Sequence, residues 1–290
     1  MYPADHLKGI AIAVAGILVL SPDSLLVRLV QADGWTLLFW RGSLLAGSLT
    51  AYLALRYRLR LPWALRRIGR AGLLAGTVSG IGTVSFVFAL LHTTVANTLI
   101  IIGISPLVAA ILGRVFLGEP VYRHTWVAIP AALVGVVLAA SGGGAAGPAP
   151  GDFFAAVTAC CVAGNLTALR AAGSADMTPT VAWAGVVAAL IAAPLASPLS
   201  AAGSDVLTLA VLGVLVLPLS FALIALAPRF LPAHEVSLIL LLEMAVGPYW
   251  VWLALGERPA LRAVVGGGIV LCTLVLHSIA GVRRERGPAG

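Results

Sequence analysis

From Val95 to Leu117 the chain is almost uninterrupted apolar sequence, with Pro106 near the middle and Gly118–Glu119 just after it. A helix needs roughly 20 mostly apolar residues to cross a bilayer, so this run is long enough to span one. The layout returns in the segment Phe230 to Pro259, where a second apolar run ends in Gly256–Glu257. The two Gly–Glu pairs are related by an offset of 256 − 118 = 138, roughly half the chain. An echo at that distance implies one unit duplicated. Duplicated apolar halves are a design of transporter-like membrane proteins.

Composition sets the solvent. The chain is 60% hydrophobic and 10% charged, whereas a soluble domain carries about 25% charged residues. So few charges cannot cover a water-facing surface, and the natural surroundings are lipid. The net charge of +7 comes from basic residues placed between apolar runs, the pattern of cytoplasmic loops. No nucleic-acid partner is expected. Cys160, Cys161 and Cys272 lie inside apolar runs without a CxxC pair, so they read as small buried hydrophobes. The first apolar run continues past Leu20 towards Leu29 with no small-x-small cleavage site, and reads as a retained span.

Ten spans are predicted, at 7–30, 35–55, 71–91, 95–117, 124–141, 152–171, 179–197, 206–227, 234–255 and 261–281. The fold class is all-α, a polytopic membrane protein. The Gly- and Pro-rich segment Ser141 to Gly151 cannot continue a helix and divides five spans from five. The repeats are placed at 1–145 and 146–290. An odd number of spans per half sets the halves in opposite orientations, an inverted repeat. Trp40 and Gly42 return at an offset of 183 − 40 = 143 as Trp183 and Gly185. Gly72, Gly76 and Gly80 form a small-residue stripe on span three, which lets helices approach closely in lipid.

Arg56, Arg58, Arg60, Arg66, Arg67 and Arg70 crowd the link between spans two and three, and Arg283, Arg284 and Arg286 the tail. Positive loops stay in the cytoplasm, so both termini are expected there. Arg258 and Arg262 run against that pattern on the outer side.

Polar groups in lipid are costly and need a partner or a wet cavity. Asp23 lies roughly 24 Å into span one and Arg41 roughly 9 Å into span two from the outer end, at 1.5 Å per residue. Both fall in the outer third, so they can pair. Two readings stand for them: a structural ion pair, or a site where Arg41 meets a substrate carboxylate and Asp23 gates the outer side. Arg28 can compete for Asp23 or reach the interface. Pro22 removes a helix hydrogen bond and frees a carbonyl, as a cavity wall or a plain kink would.

Glu243 lies roughly 14 Å into span nine, near the midplane, with no basic residue within one turn. A proton-coupled carrier would use such a group; a protonated acid bonded to a neighbouring helix is the other reading. Glu235 and His234 at the start of span nine, and Glu119 and Glu257 at the starts of spans five and ten, read as helix-end groups. Asn97 and Asn165 tie helices together or line a cavity. Trp40 and Trp183 are interfacial anchors or a stacking pair. Tyr249 and Trp250 read as belt residues. P-loop, HExxH, GxSxG and paired CxxC motifs are missing, so an ATP-driven pump is disfavoured. No metal, cofactor or enzymatic activity is expected.

Taken together, these stretches make the chain one that resembles the drug/metabolite transporter superfamily, in its EamA-type branch of two five-helix repeats. LLFWRGSLLAG around Arg41 is similar to that family's second-span motif. ALLHTTVANTLIIIGISPLVAAILGRVFLGEP is similar to its fourth span, and LLLEMAVGPYWVWLALGE to its ninth. Met244 stands where the family usually has proline, with Pro248 four residues on, which is expected to move the kink in span nine. The acid at Asp23 is not a general family feature.

The resemblance implies a ten-helix carrier in a bacterial inner membrane, working by alternating access. Export of a small, amino-acid-like organic metabolite coupled to protons is the first expectation. Import of a metabolite, vitamin or nucleobase is the second. A non-transporting component such as a scramblase or assembly subunit is the third. The candidate substrate or coupling residues are Asp23, Trp40, Arg41, Asn97, Asn165, Trp183 and Glu243. The expected partners are a small-molecule substrate, membrane lipid, a coupling proton and a second copy in a homodimer.

Overall fold

The computed structural model describes residues 3–58, 69–118, 123–141, 149–172, 178–201, 203–226, 230, 239–240 and 242–285. All regular structure among them is helical. Span 1 is α1 (Pro3–Leu20) and α2 (Asp23–Leu29), span 2 is α3 (Gly34–Tyr57) and span 3 is α4 (Gly69–His92). Span 4 is α5 (Val95–Ile102) and α6 (Ser105–Leu117), and span 5 is α7 (Arg123–Ala140). Span 6 is α8 (Pro150–Ala172) and span 7 is α9 (Thr178–Ala192), whose end falls short of the expected boundary. Span 8 is α10 (Gly203–Ala210), a π turn (Val211–Val216) and α11 (Leu217–Leu226). Spans 9 and 10 are α12 (Glu243–Leu255) and α13 (Leu261–Glu285). Glu119, His234 and Glu235 lie outside the described residues. Among the described residues, five helices, Leu7–Leu29, Gly69–His92, Val95–Leu117, Pro150–Ala168 and Gly203–Ile224, are long and apolar enough to cross a membrane.

The bundle exposes large apolar side chains and buries several charged and polar ones within a largely apolar core. Leu55, Val115, Phe116 and Phe153 face outward while Asp23, Ser24, Arg41, Asn97 and Asp205 are buried. That is the arrangement a lipid solvent selects. The chain is a multi-pass membrane protein.

The turns between spans are fixed by side chains. Asp33 caps α3, its carboxylate accepting from the N–H groups of Trp35 at 3.0 Å and Thr36 at 3.1 Å. Burial pushes the Asp33 carboxyl up, but the Thr36 side chain and the Thr36 and Trp35 N–H groups outweigh it and hold it below its ordinary value. Gly118 and Gly256 end α6 and α12 with φ of 69° and 70°, a left-handed cap that L side chains resist. At the expected outer end the halves are stitched together. Asp205 accepts from the Gln31 and Ala32 N–H groups at 3.2 and 2.9 Å. Thr93 donates to Asp152 at 2.8 Å, and Ser197 N–H to Thr36 Oγ1 at 2.9 Å.

Spans 4 and 9 break at matching places. In span 4 the Ile104 N–H bonds Ile101 O at 3.2 Å and the Val108 N–H bonds Ile104 O at 3.2 Å. In span 9 the Leu242 N–H bonds Ile239 O at 3.0 Å and the Val246 N–H bonds Leu242 O at 2.9 Å. Each donor and acceptor in the second set is its counterpart in the first at the Gly–Glu offset, as in 242 − 104 = 138. The following half-helices, α6 and α12, are both 13 residues long. Met244 in place of a proline therefore does not move the kink: α12 starts at Glu243, and Pro248 sits inside it.

The packing follows the duplication. Span 2 lies on span 7, span 4 on span 9 and span 5 on span 10, while span 3 packs on span 6 as span 1 packs on span 8. Exchanging the halves maps this set onto itself. The contacts run antiparallel: a Cβ on Gly42 would sit 2.7 Å from Ala189 N, and one on Gly185 would sit 2.9 Å from Ala46 N. Those partners share the glycines' own offset, 189 − 46 = 143, so the contact is reciprocal about a pseudo-two-fold axis. The halves are inverted, as the span count requires. The span 3 stripe packs closely too: Cβ atoms on Gly76 and Gly80 would meet the Thr180 and Ala184 carbonyl oxygens at 2.7 and 2.8 Å.

The axis contact gives a stability prediction. Gly42→Val should destabilise the protein by on the order of 3 kcal/mol, since the obstruction is backbone and cannot move aside. Gly47→Ala, where nothing lies within 4 Å, should leave thermal unfolding in detergent unchanged or raise its midpoint. Equal midpoints for Gly42→Val and the parent would contradict the backbone contact.

Candidate functional site

The break in span 1 builds the centre of the site. Pro22 has no N–H, so the Leu18 carbonyl loses its helical donor. Ser21 answers it, donating from Oγ to Leu18 O at 2.9 Å. Ser21 Oγ in turn accepts from the Trp250 indole N–H at 2.9 Å. The chain restarts as a helix at Asp23, whose carboxylate takes both terminal nitrogens of Arg41 on span 2. One bond runs from Nη2 to Oδ2 at 2.8 Å and the other from Nη1 to Oδ1. The Arg41 and Asp23 side chains are only 4% and 6% exposed. The Phe86 ring of span 3 lies 5.6 Å from the guanidinium carbon, a cation–π distance.

Arg28 does not compete for Asp23; it reaches the turns at the expected outer end. Its Nη2 donates to Thr93 O at 2.6 Å and lies 3.7 Å from Glu257 Oε1. Glu257 is correspondingly not a first-turn residue of span 10, because α13 begins at Leu261. It belongs to the turn, where Arg28 reaches it.

Glu243 is the first residue of α12. Its Oε1 leans over Gly247, 3.1 Å from where a Cβ would sit, with Leu99 of span 4 pressing on the same spot at 2.6 Å. A side chain at 247 would collide with both. Glu243 Oε2 has no hydrogen-bond partner among the described residues. The Asp23 charge is within electrostatic reach of it. Ser24 Oγ, Arg41 Nε and Asn97 Nδ2 are likewise buried and unpartnered among the described residues. Four spans, 1, 2, 4 and 9, thus carry polar atoms with capacity to spare.

The remaining candidates lie apart from this centre. Asn165 donates to Ala75 O at 2.9 Å and Trp183 to Thr77 Oγ1 at 3.1 Å. Both converge on one turn of span 3 and tie spans 6 and 7 to it. Trp40 donates to Pro198 O at 3.0 Å, binding span 2 to the turn after span 7. Trp250, expected in the membrane belt, lies at the bundle surface and also points its indole N–H inward to Ser21. A signal for this exists in the sequence: position 250 stands two helical turns after Glu243, on the same face. Two small spaces accompany the site. One of about 10 Å³ lies between Thr94, Pro248 and Glu257, and an apolar one of about 40 Å³ lies between spans 4 and 5. The first has room for a single water, and the second, being apolar, stays dry.

The EamA-like transporter family matches this sequence twice, over residues 7–141 and 149–279. The chain belongs to that family. The two matches fall one on each inverted half, and the drug/metabolite transporter superfamily is thereby established for it. A crystal structure of a protein superposes with a TM-score of 0.65, covering 98% of this chain and 99% of its own at 17% identity. At that identity the likeness concerns the fold alone. No curated protein matches the chain. This EamA-family chain is accordingly a membrane transporter by family.

The Asp23–Arg41 pair carries a prediction of its own. Removing one partner of a buried pair leaves an uncompensated charge and costs about 3–5 kcal/mol. Asp23→Asn alone should therefore lower the unfolding midpoint steeply. Asp23→Asn with Arg41→Gln should recover most of the loss. A double variant as unstable as the single would show that the loss does not come from an uncompensated charge.

Proposed function

We propose that this EamA-family chain is a secondary transporter exporting a small, amino-acid-like organic metabolite in exchange for protons, by alternating access. The observation that carries the reading is Glu243. It is a carboxyl within the span, at the start of a half-helix, with one oxygen unpartnered among the described residues. Its counterpart in the first half, at 243 − 138 = 105, is Ser105. The backbone break is duplicated and the acid is not. A group that departs from the repeat at such a place has a task the fold does not require.

Arg41 supplies the second element. Its guanidinium presents a carboxylate-shaped seat, now taken by Asp23, with Nε unpartnered among the described residues. A substrate carboxylate fits that seat when Asp23 releases it. Asn97 and Ser24 add further hydrogen-bonding groups, and Trp40, Asn165 and Trp183 hold the surrounding spans. The Arg-rich link between spans 2 and 3 supports a bacterial inner-membrane orientation with cytoplasmic termini. The solute passes through without covalent chemistry.

In proteoliposomes a gradient of ~1 pH unit should concentrate a solute coupled to one proton about tenfold, since one unit equals about 1.4 kcal/mol. Glu243→Gln should abolish that accumulation while solute-for-solute exchange persists. Undiminished accumulation by the Gln variant would refute proton coupling at this residue.

A further inference from the structure

α2 is a short rigid piece with a functional group at each end. It has seven residues, set off by the Ser21–Pro22 turn before it and by extended Val30 after it. Asp23, its first residue, holds Arg41 of span 2. Arg28, in its last turn, holds the 3–4 turn through Thr93 O at 2.6 Å and approaches Glu257 of the 9–10 turn at 3.7 Å. Five residues separate the two charges, roughly 7.5 Å along the axis. So short a helix cannot release one end and keep the other where it was. We propose that α2 transmits events at the Asp23–Arg41 pair to a latch formed by Arg28, Thr93 and Glu257, and that this latch opens in each transport cycle.

Three observations support the assignment. First, the latch joins the halves, since Arg28 and Thr93 belong to the first and Glu257 to the second. Relative movement of inverted halves is what exposes a central site to one side, so a bond across them at one end opposes that movement. Second, the latch is of releasable strength. The Arg28 and Glu257 side chains are 24% and 29% exposed and their ion pair is long; partly solvated pairs contribute little each. Asp23–Arg41 is the opposite case, buried and bidentate. Third, the sequence repeats both partners. Arg170 stands at an offset of 170 − 28 = 142 from Arg28, and Glu257 at 257 − 119 = 138 from Glu119. These offsets match the duplication, so both residue types recur at the equivalent sequence positions of the other half.

Only the cyclic opening rests on the transport reading; the coupling through α2 stands or falls without a substrate. Ser24 gives the reporter. It is fully buried and lies one turn from Arg28 on the same face of α2. The experiment uses the full chain in nanodiscs, with Cys160, Cys161 and Cys272 replaced by Ala and Ser24→Cys introduced. The rate of maleimide labelling at position 24 is measured.

Arg28→Gln should raise that rate about tenfold, the population shift expected on losing a charge-assisted hydrogen bond, and Glu257→Gln about two- to threefold, as a partly solvated ion pair allows. Arg28→Lys, which keeps a donor for the Thr93 carbonyl and a cation beside Glu257, should stay closer to the parent rate. The site variant Asp23→Asn with Arg41→Gln should also raise it, through α2. Parent rates in both Gln variants would overturn the latch, and a parent rate in the site variant would overturn the transmission. If Arg28→Gln does not fold, Glu257→Gln decides, because it touches only the turn. Faster labelling without proton-driven flux would keep the latch and refute the transport reading alone.

Discussion

Gly42 and Gly185 bring the two halves together backbone to backbone, and the rest of the bundle is arranged around that contact. In lipid there is no hydrophobic force between helices, because the tails are as apolar as leucine. Association rests on close packing and on hydrogen bonds, and both need backbones that can approach. A Cβ on either glycine would sit under 3 Å from the other helix's backbone. The contact is reciprocal, so it fixes an axis rather than a single touch. Once spans 2 and 7 cross there antiparallel, spans 4 and 9 and spans 5 and 10 meet across the same axis. The glycine stripe of span 3 then seats span 7 alongside.

The pseudo-symmetry separates what folding requires from what it does not. Helix ends at Gly118 and Gly256, breaks at Ile104 and Leu242, and half-helices of equal length are duplicated. They are the architecture. The ionisable groups of the site are not duplicated. Arg41 corresponds to Ala184 at an offset of 143, Glu243 to Ser105 at 138, and Asp23 to Asn165 at 165 − 23 = 142. A buried charge in lipid is costly, and Ala184 and Ser105 stand at matching helical positions without one, while Asn165 lies within an unbroken helix where Asp23 follows a break. The three charged positions therefore mark a departure that packing does not explain.

Much of this is legible in the sequence, for physical reasons that also set its limit. Apolar run length, glycine and proline punctuation and arginine placement reveal ten spans, their inversion and the pairing of Asp23 with Arg41. Rotation of each helix about its own axis is not legible. Amphipathicity tells a soluble helix which face is buried, but spans such as α9 and α11 are apolar all round, so the signal is nearly flat. Sequence alone therefore places Trp250 at the surface without revealing that its indole N–H bonds Ser21. The partners of Arg28 are tertiary, contributed by turns far from it along the chain. Glu257 reads as a helix start because Gly–Glu precedes an apolar run, while the helix begins four residues later at Leu261. The kink in span 9 is expected to shift with its missing proline. It does not, because the kink is a packing feature shared by both halves, with Gly103 and Met244 pressed together across the axis.

On the proposed reading, charge balance makes the coupling more than an addition to the mechanism. The resting site holds one guanidinium and one carboxylate in a tight pair, with Glu243 as a second acid within electrostatic reach. A substrate carboxylate taking the Arg41 seat would set three acids against one cation. A low-dielectric interior does not tolerate unpaired charge, so the substrate must arrive with a compensating positive charge. An amino-acid-like solute brings an ammonium group, and a proton on Glu243 or on the displaced Asp23 removes a remaining negative charge. Binding and protonation are then linked through the same few atoms, and neither needs a distant relay. Because Asp23 begins α2, its release from Arg41 is also the event that frees the helix carrying Arg28. Occupation of the site, uptake of a proton and loosening of the outer turns thus become consequences of one bond breaking.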